Sequence, residues 1–230
     1  MAKKKIVGDD GKVYVQKKPF YKRWWFILLV IIVILGAVGS LAGGSGDGGS
    51  SSSGSATSES TETKELATYT KDDNASDDEN SAARWAASYV NTNHMSKQGV
   101  YDQLMQMHEC TAEAAQYAVD HINADWNGAA LAKAYDYLEY SGFSKQGLYG
   151  QLTSTAGEQF TPEEAQYAVD NVDVDWNAEA LEAAESYYNT MGMTGQELYD
   201  QLVSEYGEQF TPEEAQYAVD NLDPEKLDAQ

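Results

Sequence analysis

Apolar and polar positions follow three regimes along this chain. Residues 24–42 carry no charge: Trp24-Trp25-Phe26, an unbroken apolar run from Ile27 to Leu35, then Gly36 to Ala42. That length crosses a hydrocarbon core of roughly 30 Å at about 1.5 Å per residue, so it predicts a membrane-spanning helix with Tyr21, Trp24 and Trp25 in the interfacial belt. Residues 43–80 are Gly, Ser, Thr and acidic side chains with almost nothing to bury, and predict a disordered linker. From residue 81 onward apolar residues return at helical spacing.

The middle of this last region shows the elements best. Leu131, Ala134, Tyr135 and Leu138 recur at i, i+3, i+4 and i+7 and predict an amphipathic helix over 129–140. Ser141-Gly142 ends it. Ser144 caps a second, short helix that carries Leu148, Tyr149 and Leu152, and Gly157 lies in the connection that follows. Thr161-Pro162-Glu163-Glu164 is a helix start with Thr as N-cap, Pro at the first position and Glu closing a capping box. The third helix packs Ala165, Ala168, Val169 and Val172. Asp175 is placed to cap the helix after it, with Trp176 just inside.

This three-helix pattern occurs three times, over 81–128, 129–178 and 179–230. Gln-Tyr-Ala-Val-Asp stands at 116–120, 166–170 and 216–220, and residues 157–171 are identical to 207–221. The repeated Tyr117, Tyr167 and Tyr217, with Trp126 and Trp176 of the Asp-Trp-Asn motif, are expected to be structural residues of the repeat. The first unit is two residues shorter between Leu104 and Thr111, which places Cys110 where the others have Phe160 and Phe210. The third has Asp223-Pro224-Glu225-Lys226 where Asp-Trp-Asn would fall. Tandem units of this size predict an all-α array of helix-turn-helix-like repeats, each near the lower size limit for folding alone.

Phe-Ser-Lys-Gln-Gly-Leu, the Thr-Pro-Glu-Glu-Ala-Gln-Tyr-Ala-Val-Asp-Asn stretch and the closing Val-Asp-Val-Asp-Trp-Asn resemble the Ltp-like repeat of host cell surface-exposed lipoproteins. The resemblance covers 81–230. It implies a helix-turn-helix-like fold, occurrence in Gram-positive bacteria and their prophages, and for some phage members superinfection exclusion, the blocking of DNA uptake from a second phage. A phage tail protein, the tape-measure protein above all, is the partner it implies. Family members often carry a lipobox cysteine after the signal segment. None follows residues 24–42 here, so the apolar segment itself is expected to be the anchor.

Charge sharpens the topology. Residues 1–23 hold eight basic side chains, among them Lys17, Lys18, Lys22 and Arg23, for a net +6, while the remainder carries −28. Basic residues beside a span stay cytoplasmic, so 1–23 is expected inside and the region after residue 42 outside, making a single-pass cell-membrane protein. Ala37-Val38-Gly39 and Ser40-Leu41-Ala42 are small-residue patterns that keep a cleaved signal peptide as the alternative. The linker of 38 residues would span about 35 Å as a flexible coil.

The same charges exclude functions. The three units carry −3, −6 and −12, so a helix-turn-helix shape here has nothing to hold phosphate with, and nucleic acid is not an expected partner. A protein with a basic surface is, and Glu205, Glu208, Glu213 and Glu214 of the most acidic unit are the candidate contact residues. Asn123-Ala124-Asp125-Trp126-Asn127-Gly128 imitates half a calcium loop but lacks the bidentate Glu, since position 12 is Ala134; Asp125 and Asp175 read better as helix caps. His94, His108 and His121 have no recurring partners, and Cys110 shows no activated surroundings. No nucleophile–base set or phosphate loop recurs, so neither an enzyme nor a cofactor or metal is expected. An adhesive surface module binding host or cell-wall components is the second reading.

Overall fold

The computed structural model describes residues 5–7, 13–15 and 65–227. The expected membrane span at 24–42 lies outside the described residues, as do linker residues 43–64. Among the described residues, no helix is long and apolar enough to cross a membrane. The chain forms two units, residues 1–62 and 63–230. Within the first, β1 (Lys5–Val7) pairs antiparallel with β2 (Val13–Val15), Ile6 opposite Tyr14. Sequence reading assigned no strand to this basic segment.

The second unit holds the repeats. Its first repeat is α1 (Asp77–Asn93), α2 (Lys97–Met107) and α3 (Ala112–His121). The next is α4 (Trp126–Leu138), α5 (Lys145–Thr153) and α6 (Pro162–Asn171). The third is α7 (Trp176–Met191), α8 (Gly195–Val203) and α9 (Pro212–Asn221), followed by a single turn, α10 (Pro224–Leu227). The expected three helices per repeat are therefore present. The helix expected over 129–140 starts earlier, at Trp126, because Asp125 is its cap and accepts from the Gly128 amide at 2.9 Å.

The boundaries follow from capping chemistry. Thr161 and Thr211 each accept a backbone N–H from Glu164 and Glu214, whose carboxylates return to the threonine amide at 2.9 Å, closing the boxes that Thr-Pro-Glu-Glu predicts. Proline at the first helical position costs nothing, since its missing N–H would have no partner there. In each repeat the long first helix packs on the third through alanine: Ala180, Ala183 and Ala184 face Ala215 and Ala218, with Leu198, Leu202 and Phe210 completing the core. Ala130, Ala134, Leu148, Leu152, Phe160, Ala165 and Ala168 are the buried counterparts in the second repeat. Small side chains on both faces let two helices approach closely, and the leucines of the short helix fill the remaining space.

One expectation is corrected. Residues 65–80 were expected in the disordered linker, but they are ordered. β3 (Ala67–Thr68) pairs antiparallel with β4 (Asn123–Ala124), and Ala67 is buried. The Asn91 side chain accepts from the Leu66 and Ala67 amides (2.8 and 2.9 Å) and donates to the Ala67 carbonyl at 2.7 Å. Asn80 clasps the following turn, accepting from the Asp72 amide and donating to the carbonyls of Asp72, Ala75 and Ser76. Ser76 and Glu79 then form a capping box that opens α1 at Asp77. The Asn91 amide, 24 residues from Ala67, holds a polar segment here, a long-range cause that composition does not register.

Candidate protein-binding surface

Successive repeats meet through one recurring joint. The loop after the short helix is an elbow: in the second repeat Glu158 N–H donates to Gln151 O and Phe160 N–H to Leu152 O, and Gln159 sits in the left-handed region at φ 58°. The third repeat builds the same elbow over 204–210, with Gln209 at φ 60°. Each elbow presents a glutamate carbonyl to the corner between first and second helices of the preceding repeat. There Ser96 Oγ donates to Glu158 O at 2.5 Å and Ser144 Oγ to Glu208 O. The same hydroxyls cap α2 and α5 by accepting from the Gly99 and Gly147 amides, and both serines are buried at 1% exposure. Thr194, the third counterpart, is exposed and makes no cap bond.

The joints are also polar in their surroundings. At the first, Gln159 Nε2 donates to Asp102 Oδ2 at 3.0 Å, and His94 Nδ1 lies 2.8 Å from Asp136 Oδ2, with Lys133 at 3.4 Å. Burial pushes the Asp136 carboxyl up, but His94 and Lys133 outweigh it and hold it below its usual range. At the second, Gly142 is buried against α7, and Glu179 Oε2 accepts the Phe143 amide at 3.3 Å. Burial raises the Glu179 carboxyl, a shift the Phe143 N–H partly offsets.

The elbow glutamates have a second duty. Glu158 Oε1 accepts the Tyr137 hydroxyl at 2.5 Å and Glu208 Oε1 that of Tyr187 at 2.5 Å; Gln151 and Gln201 donate back to those tyrosines at 3.0 and 2.9 Å. Burial and the Glu158 charge push the Tyr137 phenol well up. In the first repeat His108 takes the glutamate's place, its Nε2 2.8 Å from Tyr89 Oη and its ring stacked on Trp85 at 4.6 Å.

The four candidate contact residues therefore divide. Glu205 and Glu213 are exposed, whereas Glu208 holds the elbow and Glu214 closes a capping box. Tyr167 and Tyr217 are both 41% exposed, so they line the outer face of α6 and α9 rather than the core. Tyr117 differs: its hydroxyl donates to Asp72 Oδ2 at 2.8 Å and its ring stacks on His121 at 3.9 Å, and the Asp72 bond pushes the phenol up to about 12. Trp126 and Trp176 are half-buried at the starts of α4 and α7. All three histidines have aromatic or carboxylate partners that their spacing did not announce. Cys110 occupies the elbow position of Phe160, its amide bonded to Leu104 O. Among the described residues, no group of three or more His, Cys, Asp or Glu is placed to hold a metal.

The third repeat is the most polarised surface. Between 175 and 222 it carries eleven carboxylates and no lysine or arginine. The first two repeats each neutralise the end of their third helix internally, Lys97 bonding Asp120 and Lys145 bonding Asp170 at 2.6 Å, which holds both carboxyls below their usual range. Gly195 stands at the corresponding position in the third.

Three segments, residues 77–122, 125–172 and 175–222, match the family described as host cell surface-exposed lipoprotein. These limits follow the helices and start each unit about four residues earlier than the boundaries read from the sequence. The chain is also similar to the solved structure of Ltp, a superinfection exclusion protein from the Streptococcus thermophilus temperate phage TP-J34. Identity is 34% over 43% of this chain and 99% of that one, with a TM-score of 0.41. No curated protein matches.

Proposed function

The chain belongs to the host cell surface-exposed lipoprotein family, and from that premise we propose that it is a superinfection exclusion protein that blocks uptake of phage DNA by binding a protein of the incoming phage. Membership of this family and 34% identity to a phage superinfection exclusion protein support the general role. The observation that carries the binding mode is the third repeat, whose eleven carboxylates have no lysine or arginine among them. Such a surface steers a basic partner, and the attraction weakens as salt shortens a Debye length of about 8 Å at physiological strength.

In this reading residues 24–42 anchor the chain in the cell membrane with the repeats outside, and the linker keeps them within tens of ångströms of the bilayer. That position suits interception of a tail protein, the tape-measure protein being the candidate, at the step where DNA passes the membrane. The test is a charge variant that spares the structural glutamates: Glu197, Glu205 and Glu213→Gln with Asp200→Asn, all exposed. Protection of cells against phage should fall while the helical circular-dichroism signal is unchanged. Full protection by the variant would overturn the electrostatic mode.

A further inference from the structure

We propose that a second copy of this chain docks head to tail on the first, the elbow of its first repeat entering the open corner of the third repeat. The internal joints define the contact. Corner and elbow meet twice within the chain, each time by a corner hydroxyl donating to an elbow carbonyl: Ser96 to Glu158 and Ser144 to Glu208. One corner and one elbow are left over. The spare corner is at Thr194, which is exposed and keeps the hydroxyl. Gly192 at φ 68° repeats the left-handed turn of His94 (φ 50°) in the first docked corner, whereas Gly195 at φ 57° takes a left-handed conformation that its counterparts Lys97 and Lys145 do not. The spare elbow is His108–Cys110. Although shortened, it retains the left-handed residue, Glu109 at φ 51°, and the bond to a first-helix tyrosine.

Both spare faces expose apolar side chains. Among the described residues the exposed methionines are Met105 and Met107, leading into the spare elbow, and Met191, leading into the spare corner; Met107 and Met191 are each 64% exposed, and Trp85 beside His108 is 43% exposed. Met105, Met107 and Trp85 gather at the spare elbow and Met191 at the spare corner, so docking would cover them. The corner position held by Gly99 and Gly147 is Glu197 in the third repeat. A Cβ on those glycines would lie 3.8 and 3.4 Å from the elbow carbonyl, ordinary contact, so a Cβ at Glu197 leaves room for an elbow that carries His108 where the docked elbows carry a glutamate. One pair is mismatched: the Gln159–Asp102 bond of the first joint becomes Glu109 opposite Asp200. A contact of this type is heterologous, so it builds chains or rings of copies rather than a two-fold dimer.

Cross-linking the full-length chain tests this. In a Cys110→Ser background, Thr194→Cys and Glu109→Cys are carried on separate copies, mixed, and treated with a short thiol cross-linker. Heterodimers should exceed either homodimer several-fold, and both cysteines on one chain should give a ladder beyond dimer. Equal homo- and heterodimer yields, or no product, would overturn the proposal. Sedimentation of the full chain with native Cys110 gives an independent readout. Glu109→Gln, which restores the glutamine of the first joint, should raise the mass at a given concentration, and Met107→Glu should lower it with helicity unchanged. No change, or the reverse order, contradicts it.

Discussion

At the residue scale the fold rests on a few polar side chains that satisfy two elements at once. Tyr137 is the clearest. It is 7% exposed, donates to Glu158 and receives from Gln151, itself 6% exposed. Tyr137→Phe leaves the Gln151 amide with one partner fewer in a buried site, and should cost about 1–3 kcal/mol in denaturant unfolding. A loss of only a few tenths would mean that water replaces the hydroxyl. Glu179 makes a prediction of opposite sign. Its folded carboxyl is raised, so the folded chain binds the proton more tightly than the unfolded chain. Its contribution is fully present below the unfolded value of about 4.3 and is lost as pH rises through the folded one. Glu179→Gln should therefore match the parent protein in thermal stability near pH 4 and exceed it at pH 7. Parallel curves at both pH values would show that Glu179 is not the source.

At the element scale, helices and caps were legible in the sequence because both are local. Periodic leucine and alanine, and Thr-Pro-Glu-Glu, specify α4–α6 and α7–α9 from residues at most four apart. The elbow and corner were not legible. Ser144 reads as an N-cap, which it is, but its second partner is the carbonyl of Glu208, 64 residues away, and no side-chain pattern marks a carbonyl as an acceptor. The same long-range cause hid the Asn91 clamp on β3 and the Glu208–Tyr187 bond, whereas the Glu214 capping box is local and follows from its identity with the Thr161–Glu164 stretch. The joint makes a sharp prediction at Gly142. A Cβ there would lie 2.7 Å from Ala183 N and closer still to Glu179 O, both backbone atoms that cannot turn aside. Gly142→Ala should uncouple the third repeat from the second, splitting one unfolding transition into two or lowering the unfolding free energy by about 1–3 kcal/mol. Gly150→Ala, with open space around its Cβ, is the control and should stabilise its helix slightly.

At the scale of the whole molecule, three copies of one helical unit have diverged in what they expose rather than in what they bury. The first covers its third helix with the strap through Asp72, the second pairs its Asp170 with Lys145, and the third holds no lysine or arginine between residues 175 and 222. The gradient follows the order of the chain, the most acidic repeat coming last. On the function proposed here, the repeats stop an incoming phage after it has attached and before its DNA is inside. The direct measurement is to express the full chain in a phage-sensitive host and follow phage adsorption and intracellular phage DNA separately. Adsorption should be normal, with little or no phage DNA in the cell. Adsorption that falls in step with protection, or normal amounts of intracellular phage DNA in protected cells, would contradict it.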